Sequence, residues 1–157
     1  MTADSRGYSG GKTHLGQKSK LYPVIAGGCV GVSSTQPGFG ERFAAWMNDG
    51  AQEDKFPKAP EGVSLTALFV NGRGEVFVFE NSPFPTGPLK GDYFAIGTGA
   101  EYAFGAMAMG ADAAQAIAVA KIFDVWSAGD IMIMDLRTPQ QRAIGSAVEE
   151  AMEVAES

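Results

Sequence analysis

Short apolar runs cut by glycine and proline fill much of the chain, and stretches of helical character lie between them. In residues 39–47, Phe43, Trp46 and Met47 recur at three- and four-residue spacing, which puts them on one face of a short amphipathic helix. Residues 63–70 and 75–80 read as strands. Asn71-Gly72-Arg73-Gly74 joins them, and Asn-Gly between two β-rich runs signals a hairpin. Residues 21–22 and 24–32 are strand-like and broken at Pro23. Gly27, Gly28 and Gly31 weaken the second run but allow close backbone approach. Gly- and Ser-rich residues 7–17 predict a loop, 33–38 a turn and 48–62 a surface loop. Pro83, Pro85 and Pro88 make 82–91 an extended connection.

The chain is organised around residues 93–130. An apolar run at 93–96 has strand character and stops at Gly97-Thr98-Gly99, where small residues permit a sharp turn. Two Ala-rich helical segments follow, split at Gly110-Ala111-Asp112, and the second ends at Ser127-Ala128-Gly129. Helices so rich in alanine can press closely onto a sheet. A strand is predicted at 131–134. Thr138-Pro139 predicts an N-cap with proline in the first turn, opening a helix over 138–157 with Ile144, Val148, Ala151 and Met152 on one side. No linker or internal repeat stands out, so residues 1–157 read as one layered α+β domain.

Composition narrows the function classes. A net charge of −6 argues against nucleic acid or an anionic membrane as the main partner. No apolar run approaches the ~20 residues of a membrane span. Cys29 is the single cysteine, which excludes an internal disulfide framework and a multi-cysteine metal cluster. With no signal peptide visible, it fits a reducing cytoplasm.

Isolated motifs carry little. Gly11-Lys12-Thr13 resembles the end of a phosphate-binding loop, but Arg6 stands where that pattern needs glycine. Tyr102 stands where a dinucleotide fingerprint beginning at Gly97 needs one. His14 reads as an exposed loop histidine, and Cys29 as a small buried residue.

Taken together, several segments resemble the proteasome β-subunit and HslV peptidase family, including its phage-type members. Ala3-Asp4-Ser5-Arg6 is similar to the end of that family's second strand, and Lys20-Leu21-Tyr22 to its catalytic lysine and the strand after it. Residues 95–103 resemble its Gly-Ser-Gly turn, and Ala128-Gly129-Asp130-Ile131 matches its AGDI. The resemblance implies a four-layer αββα sandwich of the N-terminal nucleophile hydrolase type. In such enzymes a terminal threonine attacks the peptide carbonyl, and a lysine supplies positive potential. Lys20 would be that lysine, Asp4 its partner, and Thr98 the hydroxyl near the nucleophile's amine. Gly129, Met132 and Asp135 fall where backbone carbonyls hold a monovalent cation; the chemistry needs no cofactor.

The nucleophile of the family would lie upstream of Met1, with the first strand, so the chain reads as N-terminally truncated. Thr2 falls in a strand beside Asp4, not opposite Lys20. The expected protein is a threonine-type peptidase subunit in a homo-oligomeric ring, cytoplasmic, acting on peptides or unfolded protein with an ATP-dependent unfoldase as partner. A non-catalytic structural homologue of the same fold is the alternative, and a hydrolase of small amides a third reading.

Overall fold

The computed structural model describes residues 1–8, 14–136 and 141–144. In chain order the strands are β1 Thr2–Asp4, β2 Arg6–Tyr8, β3 His14–Gln17, β4 Leu21–Pro23, β5 Gly28–Ser34, β6 Leu65–Asn71, β7 Val76–Glu80, β8 Thr86–Leu89, β9 Ile131–Met134 and β10 Gln141–Ile144. The helices are α1 Phe39–Asn48, α2 Ala100–Ala108 and α3 Ala113–Phe123. Strands β4 to β8 form one antiparallel sheet in chain order, β1-β9-β10 a second, and β2 and β3 a separate ribbon.

Period-two alternation decides what each face of the larger sheet meets. Val30 and Val32 of β5 and Leu65 and Ala67 of β6 pack on Phe39, Phe43 and Trp46 of α1, with Phe56 and Phe79 closing the cluster. The intervening residues turn the other way. Cys29 joins Leu21 and Met134 in a second cluster that ties the two sheets together, with Met1, Ala3 and Met132 packed against it. Helix α3 contacts β1 and β9. Its start is set by Asp112, which accepts from the Gln115 amide while Gln115 reaches back to the Asp112 amide. Gly28 sits at φ 97°, and a side chain there would run into the Val70 carbonyl. That glycine lets β5 and β6 pair from the first residue.

Cys29 is fully enclosed, its thiol directed at the Met1 thioether 3.5 Å away. Burial pushes the thiol up to about 11. A thiolate is the reacting species, so iodoacetamide at pH 8 should leave native protein unlabelled for hours. The same treatment in denaturant should add one adduct, and intact mass distinguishes the two. Rapid native labelling would contradict the enclosed position.

Helix α1, the β6–β7 hairpin, the pair α2 and α3, and β9 follow the sequence pattern. Several segments differ. Residues 93–96 form no strand; Phe94, Ala95 and Ile96 lie along the wall of a cavity. The segment 82–91 is not merely a connection, because Thr86–Leu89 adds β8 to the sheet edge, where Pro88 costs no interior hydrogen bond. The run 24–32 becomes a strand only at Gly28, since Gly27 donates to the Val24 carbonyl in a tight turn. The expected loop 7–17 contributes β2 and β3, and His14 is an exposed strand residue. Helix α3 stops at Phe123 rather than near Ser127. The helix expected over 138–157 is contradicted at Gln141–Ile144, which pairs antiparallel with β9; 138–140, with the expected N-cap at Thr138-Pro139, and 145–157 lie outside the described residues. At 141–144, pairing with β9 overrides the helical spacing of the sequence.

Candidate active site

Asp4 ends β1, and Lys20 immediately precedes β4. The Lys20 main chain is fixed because its carbonyl accepts from the Val32 amide at 3.1 Å. Its Nζ donates to Asp4 Oδ1 at 2.8 Å, and the two side chains are 23% and 13% exposed. Asp4 Oδ2 accepts from the amides of Ala128 at 3.1 Å and Arg6 at 3.3 Å. The carboxylate is thus clamped between the lysine and the loop that follows α3.

Thr98 occupies the turn before α2, where Gly97 adopts φ 92°. Its hydroxyl donates to Asp124 Oδ2 at 2.6 Å. Ser127 donates to the same oxygen at 2.6 Å, and the Trp126 amide to Oδ1 at 3.3 Å. Asp124 is 8% exposed. Burial pushes its carboxyl up, but the Ser127 and Thr98 hydroxyls, the Trp126 amide and the charge of Lys20 outweigh this and hold it below the ordinary aspartate value. Lys20 therefore acts electrostatically on two carboxylates, Asp4 and Asp124. Asp4, Lys20, Thr98 and Ser127 border a cavity of about 1000 Å³, with one face of the larger sheet and helices α2 and α3 as walls.

Asp124 and Ser127 were not singled out from the sequence. One signal was available: an aspartate directly after the last turn of a helix meets the negative end of the helix dipole, an unfavourable place unless other contacts compensate.

A depressed carboxyl stabilises the folded state above the pKa it has when unfolded, near 4, and that contribution is lost as pH falls through the lower folded value. Asp124→Asn should therefore lower the melting temperature at pH 7 and flatten its fall below about pH 4. Melts of both proteins between pH 3 and 7 check this; parallel curves would mean that Asp124 carries no such linkage.

The cation positions are spread along β9. Gly129 precedes it at φ 81°, Met132 lies within it, paired with Ala3 on one side and Ala143 on the other, and Asp135 follows it. Pairing on both sides commits the Met132 main chain to the sheet. Thr2 donates its hydroxyl to the Ala113 carbonyl at 2.9 Å, toward α3.

No protein-family model matches the chain, and no curated protein matches it either. Among solved structures it is similar to eukaryotic HslV from Trypanosoma brucei, with 15% sequence identity and a TM-score of 0.59, over 92% of this chain and 91% of that one. The chain has an HslV-like fold, mixing helices with a five-stranded sheet. Among the described residues no helix is long and apolar enough to cross a membrane.

Proposed function

We propose that this chain is a proteasome-like peptidase subunit of the threonine type, built on a four-layer αββα sandwich. The observation that carries the reading is the Lys20–Asp4 pair beside the Thr98–Asp124–Ser127 network, on the rim of one cavity. Lys20 supplies positive potential at the place where an amine-bearing nucleophile would lose a proton and an oxyanion would form. Asp4 keeps the ammonium in one position. Asp124 holds the Thr98 and Ser127 hydroxyls, whose remaining lone pairs can accept from a terminal amine. The reading extends to a ring oligomer working with an unfoldase in the cytoplasm, with a monovalent cation at Gly129, Met132 and Asp135 as a structural accessory.

A second reading is a non-catalytic subunit of the same fold. In either reading Thr2 is not the nucleophile, because its hydroxyl is bound to the Ala113 carbonyl. Assays of fluorogenic peptides and unfolded casein with wild type and Lys20→Ala separate the two. Turnover in the wild type that is lost in the variant supports the peptidase. No turnover from a preparation eluting several-fold above 16.4 kDa supports the non-catalytic subunit.

A further inference from the structure

The tip of the β6–β7 hairpin carries chemistry that the candidate site does not use. Asn71 is followed by Gly72, so no side chain shields the asparagine amide from the next main-chain nitrogen. The turn is built around that amide. Asn71 Oδ1 accepts from the amides of Arg73 at 2.9 Å and Glu75 at 3.0 Å, and Nδ2 donates to Glu75 Oε2 at 2.7 Å. The main chain is held as well. The Asn71 N–H donates to the Glu75 carbonyl at 3.0 Å, and its C=O accepts from the Gly74 amide at 2.9 Å. Gly74, at φ 82°, is the left-handed residue that closes a three-residue hairpin loop. Asn71 is also the last residue of β6, the middle strand of five, and pairs with Gly28 on its other side. Gly72 lies against the neighbouring turn, where a Cβ built on it would be 3.6 Å from the Gly27 Cα.

These contacts have two opposed effects. The two amides on Oδ1 polarise the side-chain carbonyl and would stabilise an oxyanion there. Attack, however, requires Cγ and the Gly72 nitrogen to meet. The rotation that joins them takes the Asn71 C=O off Gly74, Nδ2 off Glu75 and Gly72 off Gly27. Polarisation helps only a geometry that is reached, so the closed hairpin decides the outcome.

We propose that Asn71 is a site of spontaneous amide-to-imide modification, held intact by the closed β6–β7 hairpin and reacting when that hairpin opens. The Gly72 nitrogen gives its proton to solvent base and bonds to Asn71 Cγ. The Cγ–Nδ2 bond breaks, and the nitrogen leaves as ammonia. Water then opens the imide at either carbonyl, giving an aspartate or an isoaspartyl link at position 71. Neither product fits the turn. An aspartate sets a second carboxylate where Nδ2 met Glu75 Oε2, and like charges so close repel. An isoaspartyl link adds one carbon to the main chain of a strand paired on both sides. An opening that reacts is therefore recorded in the chain, and refolding does not erase it. None of this involves Lys20 or the cavity, so it stands apart from the peptidase reading.

The test is ageing of the whole chain at pH 8 and 37 °C, with peptide mapping to locate aspartyl and isoaspartyl products. Position 71 should convert at least tenfold more slowly in native protein than in the same protein unfolded in urea. Glu75→Ala, which releases Nδ2, should speed native conversion at least threefold and leave the unfolded rate unchanged. Gly72→Ala should slow the unfolded rate severalfold, which assigns the nucleophile. Asn71→Asp, which reproduces one product, should melt below wild type at pH 7, with the gap narrowing toward pH 4 as the facing carboxylates protonate. Native conversion that matches the unfolded rate, or that is unmoved by Glu75→Ala, overturns the proposal. Native conversion faster than unfolded also overturns it, because the amides on Oδ1 would then be the deciding effect. An Asn71→Asp protein as stable as wild type would refute the misfit of the product.

Discussion

Phe43→Ala is expected to lower the unfolding free energy by about 4 kcal/mol, the upper part of the range for truncating a buried phenylalanine. Phe43 is fully enclosed and lies at the centre of four rings. Its centroid is 5.3 Å from Trp46, 6.2 Å from Phe56 and 5.2 Å from Phe79, and the last two meet it nearly edge-on. Removing it deletes apolar burial and three aromatic contacts at once, and leaves a void bounded by rings and by strands already paired on both sides. Such walls cannot close on it. Urea unfolding monitored by Trp fluorescence measures the loss. Phe69→Ala is the control, because Phe69 is only partly buried and stacks on Phe77 alone, at 6.1 Å. A loss below ~1 kcal/mol for Phe43→Ala would mean that the cluster is not the centre of this core.

Lys20→Ala is expected to destabilise the protein by about 2–3 kcal/mol, at or just below what breaking a fully buried ion pair costs, because the pair is partly exposed. Asp4 stays largely enclosed and keeps two amide donors, but loses its counter-charge. Adding Asp4→Asn should recover part of the loss, giving a coupling energy of at least about 1 kcal/mol in the double-mutant cycle. High salt should change the result little, since an enclosed pair is poorly screened. Additive effects would show that the two side chains are independent. If the chain hydrolyses peptides, Lys20→Ala should also reduce turnover by at least about a hundredfold, because it removes the positive potential at the developing oxyanion.

The elements visible in the sequence were those with a local cause. Phe43, Trp46 and Met47 mark one face of α1, Asn71-Gly72 forces a turn, and Asp112 caps α3. Those that were not visible depend on a partner. Thr86–Leu89 becomes a strand because β7 offers an edge, despite its proline. Gln141–Ile144 does so because β9 does. Residues 93–96 have strand-like side chains and pair with no strand among the described residues. The same holds at the site. Asp4 and Lys20 were found together through a resemblance and meet at 2.8 Å. Asp124 and Ser127 became visible only when the turn carrying Thr98 was placed beside them.

Strand β1 closes against β9 through residues 133 positions apart. On a ribosome adding ~5–20 residues per second, β1 waits on the order of ten seconds for its mate. Until then its edge and the methionines behind it are uncovered, so newly made protein is most exposed to aggregation, and most in need of a chaperone, before residue 134 has left the exit tunnel.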